Sequence, residues 1–387
     1  MASKFYTNLY KTGRAVNAAA VAKSKHESIS PTGDPSVDWT LGGGWARYRL
    51  NLIYGPSKSC KSFVAMHAAI EEQKRTGGDI VIFDSEYYFD DPAAVQRLAD
   101  MGADLDKVHI ISSNQLGILF GNIADLETDL KQSIAEDDPK KKNLNLCAII
   151  IDSLGGIQVG NAENKILKGE VDEAGDAGRG NAKYINPVLG FVLRLCAEYK
   201  VTGFAVQHCI KNQEKYGPEY LLTGGERLKF LSNTILFLEG STAKDSVLVG
   251  DGLRVDKEIK VEAAKGMAMV GKKILVRCEK TRNTTENKKA EFFINLKEAH
   301  FARAEESLFN LAKKLGVLYH PLSAEGKTSV SWYEFRKGDC APMKFNGEAQ
   351  TTEAMTDKTL FNDIYEACMA SDKSEATEDE ISEVKND

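Results

Sequence analysis

Apolar residues fall along the chain in two patterns. Residues 49–54 (RLNLIY), 79–83 (DIVIF), 107–112 (KVHIIS), 146–151 (LCAIII), 202–206, 234–238 and 273–278 are short apolar-rich runs, and each predicts a strand. LCAIII is apolar on successive positions, as in a strand covered on both faces. Between these runs, residues 59–74, 93–101, 115–135 and 186–199 show the helical repeat. In the first of them Phe63, Met66, Ala69 and Ile70 fall near one face, and in the last Pro187 is expected in the first turn, where its missing N–H does no harm. Strands alternating with helices predict an α/β fold: a mostly parallel, twisted sheet with helices on both faces.

The flanks read differently. Residues 30–45 (SPTGDPSVDWTLGGGW) carry Pro, Gly and Asp at a density that predicts turns and no helix. Residues 1–30 are rich in Ala, Lys and Ser; a helical stretch at 17–22 is too short to stand without a partner surface. Near residue 300 the alternation ends. An amphipathic helix at 304–315 and a β-like run at 329–335 (SVSWYEF) predict a small appended domain over 301–370 behind a core at 31–300. Residues 371–387 hold seven acids against two lysines, a local charge of −5, which predicts a solvated, disordered tail.

Composition narrows the class. The 387 residues carry 50 Lys and Arg against 56 Asp and Glu, a net charge of −6, which excludes a generally basic DNA coat but leaves room for a local basic groove. With 42% apolar and 27% charged residues the chain reads as globular, with length for two to three domains. No uncharged apolar run approaches the ~20 residues of a membrane span, and the N-terminus lacks the apolar core of a secretory signal. The seven cysteines (Cys60, Cys147, Cys196, Cys209, Cys278, Cys340, Cys368) include no C-x-x-C pair, which argues against structural zinc and a disulfide framework and for a reducing, cytoplasmic setting.

The chemistry begins at Gly55-Pro56-Ser57-Lys58-Ser59-Cys60-Lys61-Ser62, between a strand and a helix. This is the P-loop pattern G-x-x-x-x-G-K-[ST] with Cys60 at the second glycine. Backbone N–H groups and a helix N-terminus would cradle phosphates, Lys61 would neutralise the β- and γ-phosphates of ATP, and the Ser62 hydroxyl would hold Mg²⁺. Asp152, ending the buried strand, suits a second Mg²⁺ ligand at the C-terminal edge of the sheet. Glu86, at the tip of the second strand in Phe83-Asp84-Ser85-Glu86, is the candidate general base; Asp84 is less well placed because alternate strand residues face opposite ways.

These pieces, in this order, resemble the RecA-type recombinases. Residues 30–62 resemble the family's lead-in: a turn, an S-x-D-x-x-L-G-G segment, a strand and the P-loop. FDSE (83–86), IIIDS (149–153), TGGERLKF (223–230) and EKTRN (279–283) after ILVRC follow in the family's order. Within the family the chain looks like phage recombinases of the UvsX type, which share a GPSKSxKS loop with a non-glycine before the lysine and an acidic tail. The resemblance covers roughly residues 30–300. It implies a RecA-like ATPase core that uses ATP and Mg²⁺ at the seam between protomers of a helical filament. It implies action on single-stranded and homologous double-stranded DNA in recombination, repair and recombination-dependent replication, with loading or mediator proteins and single-strand-binding proteins as partners. It implies no membrane, and a location in the cytoplasm of an infected bacterial host. ATP would go to ADP and phosphate, with AMP a further product left open. By the same resemblance Glu86 matches the catalytic glutamate, and His208, in FAVQH, stands where the family places a γ-phosphate sensor. Lys280 and Arg282 match the two basic residues that reach the neighbour's ATP, and residues 1–30 would dock on the adjacent protomer.

Two segments read as DNA loops. Residues 159–180 are Gly-, Asn- and charge-rich and too long for an idle connection. Residues 209–225 (CIKNQEKYGPEYLLTGG) carry Lys211, Lys215, Tyr216 and Tyr220. Single-strand binding asks for cations along a groove and surfaces that stack or part bases. Arg179, Lys183, Lys211 and Lys215 would serve phosphates, Tyr216 a base, and Gly224 and Gly225 would offer N–H groups. Two rivals remain: a hexameric RecA-fold DNA helicase, and a non-catalytic mediator that binds single strands and uses ATP as a switch.

Overall fold

The computed structural model describes residues 28–135, 145–158, 177–214, 216–241, 246–255, 258–284, 286–322 and 328–371. The segment up to residue 27 expected to dock on a neighbour, most of the first loop expected to bind DNA, Lys215 and the acidic tail from residue 372 lie outside them.

β1 (Ile29–Ser30) and β2 (Trp45–Ala46) pair antiparallel ahead of the core. Between them the sequence predicts turns; the structure has α1 (Pro35–Leu41). The punctuation that looked like a turn cluster is a complete set of helix start and stop signals. The Asp34 carboxylate accepts from the Ser36 and Val37 N–H groups, Pro35 occupies the first turn, and Gly42 closes the helix at φ 76°. Every α1 side chain is buried, so tertiary packing sustains a helix too short to persist alone.

Six strands form the parallel heart: β3 (Leu50–Gly55), β4 (Asp79–Asp84), β5 (Val108–Ser112), β6 (Leu146–Asp152), β7 (Thr202–Lys211) and, after the short antiparallel partner of β7, β8 (Tyr220–Leu222), β9 (Thr234–Gly240). The sheet continues antiparallel through β10 (Val247–Val249), β11 (Leu253–Arg254), β12 (Met269–Lys280), β13 (Lys289–Asn295) and β14 (His300–Ala302), giving the order β11-β10-β12-β9-β3-β7-β6-β4-β5 with β13 and β14 added on β12. Period-two alternation splits its side chains into two cores. Ile80, Ile82, Ala148 and Ile150 meet α2 (Lys61–Thr76) and α3 (Pro92–Asp100), while Val81, Phe83, Ile149 and Ile151 belong to the core with α4 (Leu116–Ala135) and α5 (Ala177–Tyr199).

α5 starts at Ala177, not near residue 186, so Pro187 lies inside it and residues 177–180 belong to a helix, not to the loop. Its opening, AGRGNAKY, carries two glycines and an asparagine, poor helix formers, and lacks an apolar repeat, which hides it from a periodicity reading. The second expected loop is largely a hairpin: β7 runs on to Lys211 and pairs with β8 across residues 212–219. Two short helices complete the core, α6 (Glu226–Leu231) and α7 (Val261–Ala264).

From residue 304 a further layer follows: α8 (Ala304–Lys314), the β15 (Trp332–Phe335) and β16 (Met343–Asn346) ribbon, α9 (Gly347–Ala354) and α10 (Lys358–Ala370). Its own apolar cluster centres on Leu308, Phe309, Phe335 and Ile364 and takes in Trp39 from α1. Two wholly buried acids tie α1 to this layer: Ser307 Oγ donates to Asp34 Oδ1 at 2.9 Å, and Tyr365 OH donates to Asp38 Oδ2 at 3.0 Å. Burial pushes both carboxyls up to about 7. Cys147, Cys196 and Cys278 are buried, and desolvation raises their thiols to about 11, 12 and 12, which leaves them inert. No helix among the described residues is long and apolar enough to cross a membrane.

Candidate active site

Strand register brings the chemistry to one edge. Gly55 is paired with His208 across β3 and β7, and Asp84 with Asp152 across β4 and β6, so four neighbouring strands end side by side. Gly55 lets β3 leave the sheet: a Cβ there would lie 2.0 Å from the Leu238 carbonyl oxygen. The loop from Pro56 to Cys60 then leads into α2 at Lys61. Ser59 Oγ donates to the Pro56 carbonyl at 2.9 Å and Lys61 Nζ donates to the same oxygen at 2.8 Å, which folds the loop around the ammonium. Cys60 stands at φ 62°, the left-handed conformation that a glycine adopts freely, at a cost on the order of 1 kcal/mol. Its side chain is partly buried and packs on the core beneath α2, so it fits without a glycine.

Lys61 is buried, and desolvation pushes its ammonium below its ordinary value while Asp152 and Glu86 pull the other way. Burial raises the Asp152 carboxyl to about 6, with Glu86 and Asp84 adding to the rise and a hydrogen bond with Ser62 opposing it. A buried acid beside two further carboxylates is short of positive charge. With the Ser62 hydroxyl it offers a hard oxygen donor set, which fits Mg²⁺, an ion that takes one or two protein oxygens and completes its shell with phosphate and water.

Glu86 faces this group. Its Oε1 accepts from Ser153 Oγ at 2.6 Å and lies 3.1 Å from His208 Nε2. Burial alone would raise its carboxyl, but the Ser153 and His208 hydrogen bonds and the Lys61 charge outweigh that and hold it below the usual carboxylate range. Asp84 accepts from the Glu86 and Phe89 N–H groups at 3.1 and 2.8 Å and so shapes the turn that carries Glu86. Ser85 and Ser153 exchange two hydrogen bonds, at 2.6 and 3.0 Å, which staple the tips of β4 and β6 together.

His208 connects this edge to the β7–β8 hairpin. Thr223 Oγ1 donates to the His208 carbonyl at 2.8 Å, and Gln207 Nε2 donates to the Thr223 carbonyl at 3.1 Å. Gly224 and Gly225 follow at φ 103° and 81°, a turn only glycine makes easily; a Cβ on Gly224 would come within 3.1 Å of Leu228. A cavity of about 480 Å³ joins the elements: Ser57, Lys58, Ser59, Cys60, Lys61, Ser62, Glu86, Asp152 and His208 line its polar end, and Met66, Leu98, Met101 and Leu296 its apolar wall. A triphosphate suits the first and a flat base the second.

Other expected residues lie elsewhere. Lys280 Nζ donates to the carbonyls of Lys229 and Ser232 at 2.6 and 2.8 Å, at the end of α6; Arg282 is exposed; neither lines the cavity of its own chain. Lys211 is exposed 3.3 Å from Glu219, and Tyr216 is 80% exposed at the hairpin tip. Arg179 and Lys183 fall in the first turns of α5. The sequence reading missed Ser153, Gln207 and Thr223, although each adjoins a motif residue. It also missed Lys272, which reaches the loop from β12 with no motif to mark it.

Fold and site together define a P-loop nucleoside triphosphatase with its ligand edge at the C-terminal ends of parallel strands. Residues 8–129 match the RecA N-terminal domain. The chain is 27% identical over 342 residues to Protein RecA of Chlorobium limicola, covering 88% of this chain and 81% of that protein. It is 26% identical over 350 residues to Protein RecA of Chloroherpeton thalassium (87% and 79% covered) and 30% identical over 270 residues to that of Gloeobacter violaceus (68% and 60% covered). On these grounds the chain is a RecA-type recombinase and a DNA-dependent ATPase of the P-loop type.

Proposed function

We propose that the chain works as a phage-type recombinase, of the UvsX kind, that polymerises on single-stranded DNA with ATP held between successive protomers, pairs it with homologous duplex, and acts in the cytoplasm of an infected bacterium. Ser62 and Asp152 would hold Mg²⁺, which would supply positive charge to the β- and γ-phosphates. Lys61 and the loop N–H groups bind and orient the triphosphate. Glu86, ionised at neutral pH, orients the attacking water and takes its proton. His208 lies between Glu86 and the hairpin, so γ-phosphate contact and hairpin order are linked. Lys280 and Arg282 act on the ATP of the adjoining protomer, docked through residues 1–30. Lys211, Lys215, Tyr216, Gly224 and Gly225 on the hairpin, with Arg179 and Lys183 on α5, hold the strand. The core at 31–300 carries this chemistry, the region at 301–370 is an appended domain, and the acidic tail competes for basic surface. Loading and single-strand-binding proteins are the expected helpers.

One observation carries this reading: a single histidine touches the candidate base and, through Thr223 and Gln207, the glycine turn of the hairpin. ATP hydrolysis measured with and without single-stranded DNA tests it. DNA should stimulate the wild type, and His208→Ala should lose that stimulation. Equal rates with and without DNA would refute the coupling. Negative-stain images with ATP and DNA should show helical filaments; closed rings would favour the helicase.

A further inference from the structure

The nucleotide loop holds two non-glycine residues in the left-handed region, Lys58 at φ 63° and Cys60 at φ 62°, with one residue between them. Neither side chain favours that conformation, so the surroundings must over-determine it. Ser59 and Lys61 brace the loop from within, through Pro56. The brace from outside is Lys272, near the start of β12, whose Nζ donates to the Lys58 carbonyl and also hydrogen-bonds the Cys60 thiol. Gly240, at the end of β9, borders the gap: a Cβ there would stand 3.6 Å from both Lys272 Nζ and the Lys58 oxygen.

The peptide plane gives this contact a consequence. In a trans peptide the C=O and the following N–H point opposite ways. Lys272 and Ser59 both line the nucleotide cavity, and fixing the Lys58 carbonyl on Lys272 fixes the Ser59 N–H on the opposite side of that peptide plane. We propose that Lys272 is a positioning residue of the nucleotide site: it clamps the Lys58–Ser59 peptide so that a loop with Cys60 in place of glycine keeps its N–H groups aimed at the triphosphate. The inference rests on the nucleotide reading of Lys61 and adds a residue from a distant, antiparallel strand.

The test uses the full chain, Mg²⁺-ATP binding by calorimetry, and steady-state hydrolysis on single-stranded DNA. Lys272→Ala should weaken ATP binding about tenfold, equivalent to about 1.4 kcal/mol, and raise KM in step while kcat stays within about twofold. Lys272→Arg should restore affinity. Lys272→Met, which keeps the packed stem but has no donor, should behave as Ala and replaces it if Ala fails to fold. Because glycine is at ease at φ 62°, the loss caused by Lys272→Ala should shrink to under about threefold when Cys60→Gly is already present. Wild-type affinity in Lys272→Ala and Lys272→Met would overturn the proposal, and so would an equal loss in both backgrounds, which would instead mark direct contact with the phosphates. Lys61→Ala separates the two failures: if it abolishes binding while Lys272 variants do not, only the clamp is wrong, and if it too binds ATP normally, the nucleotide reading falls.

Discussion

Glu86 shows how neighbours set a side chain's chemistry. Its carboxylate is half-exposed, yet Ser153 and His208 hold it ionised, in the state a base needs. Glu86→Gln removes the base and keeps the size, so kcat should fall by about 10²–10⁴ while ATP affinity changes little; equal hydrolysis by variant and wild type would remove Glu86 from the mechanism. Asp38 shows the opposite case. Desolvation raises its carboxyl from 3.8 to about 7, and Asp34 behaves alike. Between pH 3.8 and about 7 the folded chain therefore binds more protons than the unfolded one, and stability falls as pH rises through that window. Asp38→Asn stays neutral throughout and can still accept from the Thr32 N–H, so its stability should be flatter with pH and higher than wild type by on the order of 1 kcal/mol at about pH 8. Urea titrations at several pH values check this, and parallel wild-type and variant curves would contradict it.

At the scale of elements, what the sequence made legible follows burial. The strands from β3 to β7, with α2, α3 and α4 between them, were readable because each has either an apolar-rich run or a one-sided helical repeat, and the P-loop, Asp152 and Glu86 lie at their ends. Elements that depend on tertiary contact were not. α1 reads as turns because its caps are turn residues; α5 is masked by Gly and Asn at its start; α9 has a weak pattern, whereas α10 carries a helical repeat at Leu360, Ile364 and Cys368 that the sequence reading passed over. The same limit applies within the site. Lys272 approaches from an antiparallel strand more than two hundred residues beyond the loop, and no local spacing announces it. Gly55 is the converse, a motif residue whose reason appears only in three dimensions. Gly55→Ala would drive a methyl into the Leu238 carbonyl, so β3 and β9 must part or the loop must shift. Loss of ATP binding together with a lowered unfolding temperature is expected; an unaltered affinity would mean the β3–β9 contact is soft.

For the whole molecule, the decisive geometry is which chain completes the site. Lys280 and Arg282 do not line the cavity of their own chain, and Lys280 is engaged with the end of α6, so a role at ATP requires a second copy. A head-to-tail contact of this kind, in which one patch meets a different patch on the next copy, generates an open helical polymer when the rotation does not close. Arg282→Ala is the cleaner probe, because that side chain is exposed and its loss leaves the Lys280 contacts intact. Alone, Arg282→Ala should fold and bind ATP but hydrolyse it poorly, and Lys61→Ala should be inactive. Mixed one to one, a quarter of the seams would join an intact loop from one variant to an intact arginine from the other, so roughly a quarter of wild-type activity should return on single-stranded DNA. No recovery on mixing, with both variants folded and co-assembled, would mean the cations act within their own chain and that ATP is not the bond between protomers.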